Sequence, residues 1–328
     1  MGSTRPRPRI HYDPLSGRPV IVAPWRAARP DELAGDRITC PFCAGHERLT
    51  PPDILRTEAA TAGDWRSRIV RNRFPIVGAD GPLASSSEAV GADPRGAAST
   101  ACGVHEVVIE SPAHVASILA IPPDDWRGVW ELCRRRLADL ATDPTVAWAT
   151  VFKNSGAAAG ASLEHVHSQL VGLGFVPPAI VAELSAGADS ADPFGAVVSA
   201  AEEEGRIVAE AEDIVALVPP APRQPYETWI LPRSPEAYFH QTRPGRLAAV
   251  AALSQSIVGR LDRLVPNAAY NWWLHQAPFP HHASPPPRWH WHLEILPRLH
   301  GLAGFELGTG CHVTTVSAHA AASRLREA

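Results

Sequence analysis

Residues 154–173 read NSGAAAGASLEHVHSQLVGL, and the spacing of their polar side chains narrows the fold more than any other stretch. In a β-strand, side chains at i, i+2 and i+4 share a face. His165, His167 and Gln169 therefore line up on one side, while Val166 and Leu170 point into packing. A strand with that alternation belongs in a sheet that is packed on one face and open to a ligand on the other. Just before it, Gly156 and Gly160 enclose three alanines and let the backbone approach a ligand closely. Asn154, Ser155, the Ser162 hydroxyl and the exposed N–H groups of this loop suit a phosphate. A nucleophilic imidazole beside such a cradle points to phosphoryl or nucleotidyl transfer. Taken alone the stretch is ambiguous, because strand histidines are commonly structural and small-residue loops are commonly tight turns.

A second motif supplies company. Five cysteines in 328 residues, two of them in Cys40-Pro-Phe-Cys43, do not make a disulfide scaffold. The CxxC turn brings two sulfurs to one centre, with Zn–S near ~2.3 Å for tetrahedral zinc. A redox pair has the same spacing, but the Pro-Phe interior and the absence of a thioredoxin-like context favour zinc. The formal net charge of −4 leaves no basic footprint for a polymeric nucleic acid. No apolar run reaches the roughly 18 residues of a membrane span, and the opening MGSTRPRPRI has no apolar segment, so a soluble, cytoplasmic protein is expected.

The remaining pattern shows one order of elements twice. Residues 8–26 predict a hairpin, residues 65–77 a strand with Asn72 between Arg71 and Arg73, and residues 78–101 a mobile Gly/Ala/Ser/Pro loop. Then come a strand at 104–110, a helix at 123–141 with its Arg134–Arg136 run on a solvated face, and a strand at 145–153 leading into the HxHxQ stretch. The same succession follows at 227–232 (strand), 246–264 (helix) and 268–275 (strand). It ends in a strand at 289–295 carrying a second HxH, His290 and His292. Hairpin-like strands of this kind favour antiparallel pairing over βαβ crossovers. The expected class is α+β, a mainly antiparallel sheet with helices packed on it, divided into residues 1–195 and 196–328.

GxSLEHxHSQ resembles the active-site signature of the galactose-1-phosphate uridylyltransferase family, a branch of the histidine-triad superfamily whose usual form is GxSxxHPHxQ. Val166 stands where that family commonly has Pro; some relatives that handle adenylyl groups, such as the plant ADP-glucose phosphorylase type, also lack that Pro. The resemblance extends over nearly the whole chain and implies two histidine-triad repeats sharing one sheet. It implies a structural zinc held by Cys40, Cys43, His114 of the SPAH segment and His165. Asn72 would contact the nucleotide, and the AGFELGTG stretch, with Gly308 and Gly310, would lie near the phosphate of an acceptor. Where one class of these enzymes carries Lys and Tyr for a hexose phosphate, this chain offers His300 and Phe305.

The activity implied is transfer of a nucleoside monophosphate from a nucleoside diphosphate sugar to a phosphorylated acceptor through a covalent nucleotidyl-His167. Ser162 and Gln169 would stabilise charge, and Gln169 in place of a third His marks a transferase. A second metal, zinc or iron, would sit on Glu183, His275, His290 and His292, since the second CxxC of some relatives is here Asp192-Pro-Phe-Gly195. A homodimer is implied as well. Three competing readings remain: an ADP-sugar phosphorylase, a nucleotide hydrolase, and a non-catalytic nucleotide-binding zinc protein.

Overall fold

A computed structural model describes residues 7–28, 39–59, 64–78, 98–188, 192–282 and 288–328; most of the loop expected at 78–101 lies outside these residues. The N-terminal hairpin forms as expected: β1 (Arg9–Tyr12) pairs with β2 (Pro19–Val22), with Gly17 at φ +67° in the turn, and on its other edge with β5 (Ala98–Thr100). The first half of the main sheet comprises β3 (Asp53–Glu58), β4 (Trp65–Arg71), β6 (Gly103–Ile109), β7 (Trp148–Ser155) and β8 (His167–Leu173). The second comprises β9 (Ile207–Ala211), β10 (Ile214–Leu217), β11 (Thr228–Pro232), β12 (Tyr270–His275) and β13 (His292–Pro297). These ten strands are hydrogen-bonded in the order β3-β4-β6-β8-β7-β12-β13-β11-β10-β9. All of these neighbouring pairs run antiparallel, and the halves meet where β7 pairs with β12, Asn154 opposite Asn271.

Two helices cover one face. Helix α1 (Pro123–Ala141) starts with Pro at its first turn, followed by Asp124 and Asp125, a sequence suited to a helix N-terminus and its dipole. Its stripe Trp126, Val129, Trp130, Cys133, Leu137 and Leu140 is fully buried. Helices α2 (Pro178–Ala188) and α3 (Pro193–Glu203) follow, the latter capped by the Asp192 carboxylate on Gly195 N. Helix α4 (Pro244–Leu264) packs beside α1 and buries Leu247, Val250, Leu253, Ile257 and Leu261. One apolar core runs beneath both helices, with Trp130 against Trp272 and Phe239 against Trp291. Helices α5 (Gly304–Thr309) and α6 (Ala318–Glu327) close the chain.

Two local expectations change. Arg135 is exposed as expected, but Arg136 is not on a solvated face: it forks onto the buried Glu106 carboxylate, while the half-buried Arg134 reaches Glu131 and the His240 carbonyl. Helix α1 lies against β3 and β4, so a basic side chain turned towards the sheet needs a buried acid and finds one on β6. Both HxH strands also begin later than predicted, the first by two residues and the second by three. β8 starts at His167 and β13 at His292, leaving His165 and His290 in the preceding loops. No helix among the described residues is long and apolar enough to cross a membrane.

Candidate functional site

The site begins on the face of the sheet opposite α1 and α4 and extends past the start of β8 to the end of α4. On β8, His167 stands opposite Ile109 and Gln169 opposite Val107 of β6, so both project from the open face while Ser168 and Leu170 project towards the helices. His167 Nδ1 is 2.7 Å from the His165 carbonyl. A carbonyl can only accept, so Nδ1 carries the proton and Nε2 keeps its lone pair, the form a nucleophilic imidazole needs. Behind the strand, the Lys153 ammonium donates to the His167 carbonyl at 2.8 Å and to Glu110 Oε2 at 2.6 Å. Ser168 Oγ donates to the other Glu110 oxygen. Lys153 and Glu110 are 2% and 0% exposed. Burial lowers the Lys153 pKa, and the Glu110 charge opposes that shift.

The loop at 40–43 folds over this strand. Cys40 Sγ lies 3.4 Å and Cys43 Sγ 3.7 Å from His165 Nδ1, and Cys43 Sγ lies 3.5 Å from His114 Nδ1. Around a tetrahedral zinc with ordinary Zn–S and Zn–N bonds, sulfur and nitrogen stand about 3.6 Å apart, so this donor set fits such an ion. His165 Nε2 donates to the Ser111 carbonyl at 2.9 Å, which leaves Nδ1 unprotonated towards the sulfurs. Burial pushes His165 down to about 4 and, with Cys43 adding, pushes the Cys40 thiol up to about 11. A metal arriving here therefore meets a neutral imidazole and displaces a thiol proton. Glu47 stiffens the loop by accepting from Gly45 N and Trp65 Nε1. The Phe between the two cysteines, Phe42, has its ring edge-on to His167 at 5.4 Å.

His167 is shared by two cavities. One, of about 140 Å³, is walled by Phe42, Leu49, Pro51, Val70, Val107 and Phe74, with Asn72, Ser162 and Gln169 among its polar groups and Arg71 and Arg73 as its cations. The other, of about 310 Å³, is lined by Asn154, Ser155, Gly156, Lys153, Ser117 and the end of α4. Asn154 Oδ1 accepts from Asn271 Nδ2. Gly156, at φ +83°, owes its identity to packing as well as to conformation, since a Cβ there would sit 2.9 Å from Ala269 Cβ. Gly160 is at φ +80° at the end of the short turn Ala157–Ala159 and lines neither cavity. Gly308 and Gly310 also line neither. They belong to an exposed segment in which Phe305 is 56%, Leu307 71% and Val313 62% exposed.

The second cluster differs from the predicted one. Glu183, His275, His292 and Glu294 bring one ligand atom each to within 4.8 Å of one another, and His290 stands outside. The reason is that His290 precedes the strand. Its Nδ1 donates to the Pro232 carbonyl, and its Nε2 lies 3.3 Å from Asp192. Glu294, two residues beyond His292 on the same strand face, takes its place. Burial alone would raise the Glu294 carboxyl, but His292, Arg223 and His275 outweigh it and hold it at about 2. The HxHxE spacing at 290–294 was the available signal for Glu294. His105 was also missed; its Nε2 lies 2.9 Å from Gln169 Oε1, and nothing in its spacing points to the site.

This chain is similar to known proteins along its whole length. A model of the galactose-1-phosphate uridyl transferase N-terminal domain matches residues 6–177, and a domain of unknown function (DUF4921) matches residues 102–328. ADP-glucose phosphorylase of Arabidopsis thaliana is 30% identical, covering 98% of this chain and 93% of that protein. A galactose-1-phosphate uridylyltransferase of Haemophilus influenzae is 26% identical, covering 97% and 94%. The crystal structure of the Arabidopsis ADP-glucose phosphorylase with bound ADP-glucose superposes with a TM-score of 0.77 at 29% identity, covering 98% and 99% of the two chains.

Proposed function

As the chain belongs to the galactose-1-phosphate uridyl transferase family, we propose that it carries a nucleoside monophosphate from a nucleoside diphosphate sugar to a sugar 1-phosphate or phosphate acceptor by way of nucleotidyl-His167. The observation that supports this most is the position of His167, with its Nε2 lone pair preserved, on the wall between an apolar slot and a loop-lined cavity. The slot, with Asn72 at its edge, suits a nucleoside. The loop cavity, with Asn154, Ser155 and Gly156, suits the sugar phosphate. In the first half-reaction Nε2 attacks the α-phosphorus, the P–N bond forms, and the bridging P–O bond breaks to release the sugar phosphate. In the second, an acceptor phosphate oxygen attacks the same phosphorus and the P–N bond breaks. Gln169 and Ser162 donate to the non-bridging oxygens as charge develops.

A second reading, an ADP-sugar phosphorylase, is favoured by the full-length similarity to ADP-glucose phosphorylase. It uses the same His167 and differs in base and in taking inorganic phosphate. Intact-mass analysis after exposure to UDP-glucose or ADP-glucose separates the two by the nucleotidyl increment retained. Free nucleoside monophosphate without acceptor would mark a hydrolase, and no adduct with either donor a binding protein.

Zinc on Cys40, Cys43, His114 and His165 would supply structure, tying the 40–43 loop to the nucleophile strand, and no reacting group. Zinc or iron would occupy the Glu183, His275, His292 and Glu294 cluster in the same structural sense. The two halves are read as two histidine-triad units, with the join placed before the α3 cap at Asp192, since a cut after residue 195 would fall inside α3. The exposed 302–313 segment, with Gly308 and Gly310, is read as the part that would meet the acceptor phosphate, and the assembly as a homodimer.

A further inference from the structure

We infer that His105 is a positioning residue that decides which end of the Gln169 amide faces the phosphoryl group, an inference that rests on the nucleotidyl-transfer reading above. His105 sits on β6, diagonally across from Gln169 on the same face, is 5% exposed and lines neither cavity. Its Nδ1 lies 3.0 Å from the backbone nitrogen of Ile76. A backbone N–H can only donate, so Nδ1 is the acceptor and the ring proton of the neutral imidazole resides on Nε2. That nitrogen is 2.9 Å from Gln169 Oε1. Asn72 does not compete for the proton. Its Oδ1 is held 2.8 Å from Phe74 N, and it is Asn72 Nδ2, itself a donor, that lies 3.1 Å from His105 Nε2.

The consequence is chemical. The two ends of a glutamine amide are nearly equal in shape and opposite in polarity, so packing alone does not choose between them. With Oε1 engaged by His105, the NH₂ end turns towards the cavity that Gln169 shares with His167 and Ser162. There it donates to an oxygen gaining charge. A flipped amide would present a carbonyl oxygen to that same charge. Removing one such donor outright costs about 10²–10³ in rate; an amide that is only unlocked keeps part of its donating population and should cost roughly 10–100-fold.

The test is a double-mutant cycle on the single-turnover rate of nucleotidyl-enzyme formation, with donor affinity measured in parallel. His105→Asn keeps an acceptor near Nδ1 for Ile76 N–H and removes the group that reaches Gln169. It should slow adduct formation about 10–100-fold with donor affinity changed less than about 3-fold. His105→Gln, whose amide nitrogen reaches the Nε2 position, should recover most of that loss. In a Gln169→Ala background His105→Asn should cost less than about 3-fold, because no amide is left to orient. A full multiplicative loss in that background overturns the inference while leaving the reaction standing. A wild-type protein that forms no nucleotidyl adduct with either donor removes the reaction and the inference together.

Discussion

Replacing Lys153 by Met tests whether the nucleophile strand depends on the buried charge behind it. Lys153 and Glu110 are almost wholly excluded from water, and the ammonium serves both the carboxylate and the His167 carbonyl. Met fills a similar volume but strands the Glu110 charge and leaves the carbonyl without this donor. Breaking a buried ion pair from one side costs about 3–5 kcal/mol, and an orphaned carbonyl lies within that range rather than on top of it. At roughly 2 °C per kcal/mol for a chain of this size, the midpoint of thermal unfolding should fall by about 6–10 °C. The pair Glu110→Gln with Lys153→Met should regain at least half of that, because no charge is then stranded. Calorimetry on the parent and the two variants decides the matter. A single variant within about 1 kcal/mol of the parent, or a double variant no more stable than Lys153→Met, would refute the reasoning.

His167→Ala should abolish adduct formation and transfer while leaving unfolding nearly unchanged, since the ring faces two cavities and binds no cluster; equal turnover in the variant removes the nucleophile. Cys43→Ser should lower metal content below one zinc per chain and lower thermal stability more than it lowers turnover of the folded fraction, which elemental analysis and active-site titration can measure. Gln169→His should raise acceptor-independent release of nucleoside monophosphate, read by chromatography, and a variant that merely slows both reactions would deny Gln169 a part in reaction class. At the second cluster, burial works against the His292 proton but Glu294 and Glu183 prevail, so its pKa lies above 6.5. Its contribution to metal-free stability is then complete below pH 6.5 and is lost as pH rises through the raised value. A divalent metal must displace that proton, so affinity there should rise over the same window; flat affinity between pH 6 and pH 8 by titration calorimetry would count against this ligand set.

Patterns with a regular residue period are readable in the sequence. The helix at 123–141 coincides with α1, and antiparallel pairing follows from strands that recur in hairpin-like succession. The CxxC spacing pointed to Cys40 and Cys43, and the family resemblance added His114 and His165. What escaped depends on contacts between distant segments. Arg136 looked solvated because its partner, Glu106, lies on a strand 30 residues away. His105 reaches Gln169 across 64 positions, and Lys153 reaches Glu110 across 43; periodicity carries no information about such pairs. His290 was misplaced for a local reason: an HxH pair shares a strand face only if the strand has begun, and β13 begins at His292.

The pairing of β7 with β12 has a further consequence for how such a chain assembles. Cut between the halves, each piece would carry a long unpaired edge, β7 on one and β12 on the other, with backbone donors and acceptors that seek a partner strand. As separate polypeptides they would find each other, or copies of themselves, at a rate set by concentration. Joined in one chain, the two edges meet at an effective concentration fixed by the connection between them. Closure of the sheet is thereby independent of how much protein the cell makes.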